Sequence, residues 1–197
     1  MPQGNMNLVD ALRVLAEHRG DAVVVTTMAA EREWLRLSQH PRDFYYMPSS
    51  MGQAPTLGLG LALARPHIDV IVVNGDGCML MNLGCLVTIV DAAPPNFRLV
   101  VINNGVYEVT GRQPTPGAGR VPFAVLAEAA GFRFARRYAA LSAWRAGVAE
   151  FVRAEGPAFA ELLVEPTPGD NLQPVRPGPM ADQIRRFRAA LEPTPAG

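Results

Sequence analysis

The sequence predicts a three-layer α/β protein, a doubly wound parallel sheet with helices on both faces. Three observations predict it. Short runs over 22–26, 70–73 and 98–102 are dominated by valine and isoleucine, as strands buried on both faces must be. Between the strand-like runs lie stretches whose apolar residues recur at helical spacing, and that alternation builds parallel sheets with right-handed crossovers. The totals agree: 197 residues, 49% hydrophobic and 18% charged, describe a globular chain with a large core and some apolar surface to spare for a partner.

Each element has a local reason. Asn7 stands at the cap position before Leu8, Ala11, Leu12, Leu15 and Ala16, a helical pattern that ends at Arg19 and Gly20. A strand over 22–26 leads into a strand-end loop over 27–30, the kind of segment that often carries binding groups. A short helix over 31–37 carries Trp34, and 44–46 form a short strand. Ser49, Ser50, Met51 and Gly52 open the next helix, which continues through 57–64 and stops before Pro66. Inside it Gly58 and Gly60 each cost about 1 kcal/mol relative to alanine, which implies close approach of another backbone, from the neighbouring strand or a partner subunit. After the strand at 70–73, Met79, Leu80, Leu83, Leu86, Val87 and Val90 predict a single helix over 78–90. Cys78 and Cys85 would then lie two turns apart, too far for a disulfide, and read as reduced packing residues, with Cys78 close enough to a ligand above the turn to be exposed to it.

A loop over 92–96 leads to the strand at 98–102. The polar segment over 107–115 reads either as a lid or as an irregular surface loop. A helix over 122–130, a strand over 132–138, a helix over 142–154 capped by Ser142 and a strand over 159–164 complete the sheet. From Pro166 a proline-rich tail runs to a terminal helix over 180–191 with Ile184, Phe187 and Leu191 on one face; Arg185, Arg186 and Arg188 form its solvated side or a phosphate site. The expected organisation is one domain over 1–165 and a tail over 166–197.

Lys and Arg number 18, as do Asp and Glu, so nothing in the charge argues for nucleic acid or an acidic membrane. No apolar stretch reaches the roughly 18 residues of a spanning helix, because Arg65, Asp69 and Asp76 interrupt the most apolar region. Residues 1–5 lack the basic start and apolar centre of a signal peptide, and the expected location is the cytoplasm.

The chemistry concentrates between Asn74 and Asn104. Gly75, Asp76 and Gly77 follow one buried strand and turn the chain sharply, leaving a carboxylate at its tip; Asn103, Asn104 and Gly105 end the next, with 25 residues between the two signatures. A carboxylate and a carboxamide thus come to neighbouring strand ends, beside a helix N-terminus. That arrangement suits a hard cation holding a phosphate: Asp76 and Asn104 supply metal oxygens, and the amides of Gly77 and Cys78 face phosphate oxygens. Either motif alone also reads as a turn. Their pairing at the tips of two buried strands is what points to a site.

Gly-Asp-Gly, some 25 residues and Asn-Asn together resemble the thiamine diphosphate signature of the thiamine-dependent enzymes. The resemblance implies thiamine diphosphate with Mg2+ held by Asp76, Asn104 and the Val106 carbonyl, in a site that includes Gly75, Gly77, Cys78 and Tyr107. It sets Met51, next to Ser50, beneath the bent cofactor and gives the Ser49 carbonyl the aminopyrimidine's amino group; an ordinary core role for Met51 is the alternative.

A longer resemblance covers about residues 7–165. Ser50 to Gly52 with 58–64, Gly75 to Gly77 with 81–84, and 103–108 with Thr110, Gly111 and 113–115 look like the beta subunit of sulfopyruvate decarboxylase and the C-terminal half of phosphonopyruvate decarboxylase. Arg112 and Cys78 stand where that family usually has Gly and Ser, and Ala29 and Ala30 where relatives tend to carry a glycine before Arg32 and Glu33. These departures lie near the substrate side. The resemblance implies decarboxylation of a 2-oxo acid with a second anionic group, sulfopyruvate or phosphonopyruvate, which Arg112, Gln113 and Thr115 are candidates to meet. It also implies a heteromer, most simply two copies of each chain, in which a pyrimidine-binding subunit supplies the catalytic glutamate. None of His18, His40 and His67 adjoins a motif, so a histidine acid–base group is expected from that partner too. Two alternatives stand: a carboligase of the acetolactate synthase type, and a cofactor-binding or scaffold subunit without catalysis. A dinucleotide site has no Gly-x-Gly-x-x-Gly after the first strand to support it.

Overall fold

A computed structural model describes residues 6–45, 51–167 and 178–192. Its centre is a six-stranded sheet in the order β2-β1-β3-β4-β8-β7, with every neighbouring pair parallel. The strands are β1 (Val23–Thr26), β2 (Asp43–Tyr45), β3 (Val70–Gly75), β4 (Phe97–Asn103), β7 (Phe134–Tyr138) and β8 (Ala158–Leu163). A two-residue pair, β5 (Val106–Tyr107) and β6 (Gln113–Pro114), forms a separate antiparallel hairpin.

Alternation along the strands sends side chains into two cores. Ile71, Val73, Val100 and Ile102 meet α1 (Leu8–His18), α2 (Met28–Leu37) and α7 (Leu141–Arg153) on one face. Val70, Val72, Leu99 and Val101 meet α3 (Ala54–Ala64), α4 (Asp76–Leu80), α5 (Cys85–Ala92) and α6 (Phe123–Ala130) on the other. The three-layer, doubly wound reading therefore holds. Among the described residues no helix is long and apolar enough to cross a membrane.

The local signals hold in part. Asn7 caps α1, its side chain accepting from the amides of Val9 (2.8 Å) and Asp10 (3.4 Å). Met28, Ala29 and Ala30 are not loop but the first turn of α2. The helix expected over 78–90 is two: α4 ends at Leu80 and α5 starts at Cys85. Between them i→i+3 hydrogen bonds tighten the backbone, from Met81 to Cys78 and from Asn82 to Met79, and the Asn82 side chain donates to the Gly52 carbonyl at 3.0 Å. Cys78 and Cys85 thus sit on different helices, both buried as free thiols. Ser142 does not cap α7, which begins one residue earlier with Ala140 at its N-cap. The segment over 107–115 is not an irregular loop: it belongs to the β5–β6 hairpin, joined through a 3-10 turn at Glu108–Thr110.

The terminal helix α8 (Met180–Leu191) docks on the β2 edge: Phe187 lies 4.9 Å from Phe44, and the Tyr45 amide donates to Gln183 Oε1 at 2.6 Å. Its buried face is Gln183, Phe187 and Leu191, while Ile184 and the three arginines are exposed.

The two helix glycines separate. A Cβ on Gly58 would overlap a Val72 methyl and come within 3.2 Å of the Phe97 ring, whereas one on Gly60 would meet nothing within 4 Å. Gly58 is thus the close approach to the neighbouring strand. Urea denaturation should find Gly58→Ala destabilising by about 1–3 kcal/mol and Gly60→Ala stabilising by about 0.5–1 kcal/mol.

Candidate functional site

The sheet order reverses at β1: the chain leaves it on one side to form β2 and returns on the other to form β3. Helix α2, after β1, covers one face, and α4, after β3, covers the other, so a crevice opens between their N-termini at the carboxyl ends of the strands. Open α/β sheets bind ligands at such a switch point. Here it holds a cavity of about 370 Å³ that reaches from Thr27 and Met28 to Asp76 and Asn104.

The floor is a polar network. β3 and β4 run in register to Gly75 opposite Ile102, so Asp76 and Asn104 leave adjacent strand ends together. Asp76 Oδ2 accepts from the Gly105 amide (3.0 Å) and the Thr115 hydroxyl (3.1 Å), and Asn104 Oδ1 accepts from the Val106 amide (3.0 Å). The Thr115 amide donates to the Gly105 carbonyl at 2.9 Å, which folds the hairpin back onto the Asp76 carboxylate. Gly77 is required by packing, since a Cβ there would lie 2.5 Å from the Tyr107 ring. Gly52, at φ +85°, needs its glycine for conformation and packs on Met81, Asn82 and the Cys78 carbonyl, which ties the Met51 turn to α4.

Burial pushes the Asp76 carboxyl up to about 6, against hydrogen bonds from Gly77, Thr115 and Gly105 that favour its ionised form. No cationic side chain pairs with it among the described residues. A buried carboxylate so placed suits a metal ion. Among the described residues no cluster of three or more His, Cys, Asp or Glu could hold one, so a cation here takes one carboxylate, amide and carbonyl oxygens, and oxygens its ligand brings, as hard Mg2+ does. A Cβ on Gly75 would meet no protein atom within 4 Å, so this glycine keeps the floor open rather than satisfying packing. The residues present fit a magnesium-bound diphosphate.

Of the residues singled out in the sequence, Met51, Gly75, Asp76, Gly77, Cys78, Asn104, Val106 and Tyr107 all line this cavity. Met51 is 47% exposed at its rim rather than core. Cys78 is only 4% exposed, and burial raises its thiol, which keeps it neutral. Ser49 and Ser50 lie outside the described residues. The substrate candidates scatter. Thr115 is buried on Asp76; Arg112, at φ +63°, is exposed and outside the cavity wall; Gln113 is exposed and bonded to Thr110, its Nε2 donating to the Thr110 carbonyl at 2.7 Å.

Two residues of the cavity wall, Met28 and Glu108, and Glu161 outside it were given no individual role by the sequence. Met28 occupies the left-handed region at φ +59° where α2 meets the cavity. Glu108 lines the cavity, accepts from the Thr167 amide at 2.6 Å through Oε1, and has no partner for its buried Oε2 among the described residues. Glu161, fully buried, accepts from Asn103 Nδ2 at 2.7 Å and from the Ala124 amide at 3.1 Å. A charged residue within an otherwise apolar strand run was the one available signal for it.

Comparison with known proteins agrees with this geometry. Residues 21–162 match the family described as thiamine pyrophosphate enzyme, C-terminal TPP binding domain. The chain is 39% identical over 186 residues to a phosphonopyruvate decarboxylase of Streptomyces viridochromogenes, covering 94% of this chain but 46% of that protein, so it spans less than half of that relative's length. It is 35% identical to the sulfopyruvate decarboxylase subunit beta of Methanothermobacter thermautotrophicus, covering 82% of this chain and 84% of that subunit. The fold is shared with a thiamine diphosphate-dependent 4-hydroxybenzoylformate decarboxylase of Rhodococcus jostii RHA1, with a TM-score of 0.70 at 18% identity over 84% of this chain and 33% of that one.

Proposed function

The chain belongs to the thiamine pyrophosphate enzymes through their C-terminal TPP binding domain, and from that premise we propose that it is the diphosphate-binding subunit of a heteromeric 2-oxo acid decarboxylase. The observation that carries this reading is the buried Asp76 carboxylate beside Asn104 at the floor of the switch-point cavity. In this reading Asp76, Asn104 and the Val106 carbonyl hold Mg2+, and the amides of Gly77 and Cys78 receive the diphosphate. Thiamine diphosphate, when bound, supplies the electron sink for loss of carbon dioxide from a 2-oxo acid.

This chain's share of the work is to anchor, orient and desolvate. The hairpin held by Thr115 fixes the metal ligands before any ligand arrives, and Met51, Met81 and Val109 make the cavity rim apolar, which excludes water from the reacting end. The glutamate that faces the aminopyrimidine comes from a pyrimidine-binding partner, in an assembly of two copies of each chain. Similarity to a separate beta subunit over most of that subunit's length, and to less than half of the longer decarboxylase, supports that division. The substrate is a 2-oxo acid with a second anionic group, sulfopyruvate or phosphonopyruvate.

The test is reconstitution. With thiamine diphosphate and Mg2+, the mixture of this chain and its companion should release carbon dioxide and the corresponding aldehyde from one of these acids, and neither chain alone should do so. Turnover by this chain alone would end the half-site reading, and an acetolactate-type product from pyruvate would replace decarboxylation with carboligation.

A further inference from the structure

The cavity wall carries an acidic group that this chain leaves half-answered. Glu108, on the 3-10 turn between β5 and β6, lines the cavity and is only 6% exposed. Its Oε1 accepts from the Thr167 amide at 2.6 Å, but its buried Oε2 has no hydrogen-bond donor. Among the described residues no cationic side chain forms an ion pair with it. Thr167, which makes the one bond, has a hydroxyl oxygen that is also shut off from solvent without a partner. Two oxygens at one junction thus lack donors. Taking a carboxylate out of water with neither counter-charge nor a full set of hydrogen bonds costs free energy, which the chain bears when it stands alone.

The surroundings indicate where the missing donor comes from. Val109, next in the chain, is 67% exposed, and Met51 and Met81 on the same cavity are each 47% exposed. Large apolar side chains gathered at a pocket mouth form the apolar centre of a protein interface, where a charged group persists when a partner's charge meets it. The proposed substrate brings anions, and the other carboxyl side chain on the cavity wall, Asp76, is acidic as well. A guanidinium or ammonium group has the charge that Glu108 lacks and enough N–H groups to serve both Glu108 and Thr167.

We propose that Glu108 anchors the companion subunit: an arginine or lysine of the pyrimidine-binding chain pairs with its free carboxylate oxygen when the two chains close over the cavity. The anchor rests on the heteromeric reading above. Glu108→Gln tests it, because glutamine keeps an oxygen for the Thr167 amide and removes the charge. Removing one member of a desolvated interfacial charge pair should weaken association with the companion chain about thirtyfold or more, read by calorimetry at fixed salt concentration. The isolated variant should melt at or above the temperature of the parent, since no ion pair is lost before the partner arrives. Its affinity for Mg2+ with thiamine diphosphate should stay within a few-fold of the parent's. Association within about threefold of the parent would assign the donor to solvent. A lowered melting temperature would assign it to this chain, and a loss confined to cofactor affinity or to substrate KM would assign it to a bound small molecule. Each of these three results overturns the anchor while leaving the heteromeric reading in place. Parent chains that never associate would remove that reading and the anchor together.

Discussion

Asp76→Asn should weaken binding of magnesium with thiamine diphosphate by at least about a hundredfold while making the ligand-free chain more stable at neutral pH. Loss of a residue that only orients a metal ligand already costs about 10–100-fold, so loss of a ligand's charge should reach the upper end or pass it. Asparagine keeps the size and one oxygen to accept from the Gly105 amide and the Thr115 hydroxyl, so the hairpin has no reason to move. The stability change follows from the proton. Asp76 is 3% exposed, and burial raises its carboxyl from the usual 3.8 to about 6. Between those values the folded chain holds a proton that the unfolded chain has released, so stability falls as pH rises through the window and stays low above it. The whole loss is on the order of 3 kcal/mol at 1.36 kcal/mol per unit. Asp76→Asn should flatten that slope in urea titrations from pH 4 to 8, and Mg2+ with thiamine diphosphate should restore stability to the parent chain alone. Calorimetry showing equal affinity in the two proteins would remove Asp76 from the metal site.

What the sequence made legible, and what it hid, divides along the range of the interactions involved. β3 and β4 were readable because a strand buried on both faces must be continuously apolar, and Asp76 and Asn104 because each follows directly on its strand. The break between α4 and α5 was not, since the apolar spacing runs on unbroken. The redirected chain is held by a bond from the Asn82 side chain to the carbonyl of Gly52, thirty residues away. The same holds for Thr115, offered by its motif to a substrate and found bonded to Asp76 across 39 residues.

Glu161→Ala should cost about 2–4 kcal/mol of unfolding free energy, the largest effect expected from a residue outside the cavity wall. Helix α6 begins after Pro122 with no side-chain cap, and Glu161, from the middle of β8, supplies the missing acceptor: one carboxylate oxygen takes the Ala124 amide at 3.1 Å. Arg137, 41% exposed, brings its Nε to 3.6 Å from that same oxygen, and the other oxygen takes Asn103 Nδ2 at 2.7 Å. Alanine would leave the Asn103 amide group and the first turn of α6 without acceptors where water does not reach, so the loss is the desolvation of two donors and not merely of two bonds. Glu161→Gln, which keeps one acceptor but turns an amino group toward a donor, should cost about half as much, and urea unfolding at pH 7 ranks the three proteins. Because Asn103 leads directly into Asn104, the alanine variant should also bind magnesium with thiamine diphosphate more weakly than its remaining folded fraction accounts for. If that variant unfolds within about 0.5 kcal/mol of the parent, as a neutral surface change would, the buried carboxylate is not what ties the second strand tip to the sheet.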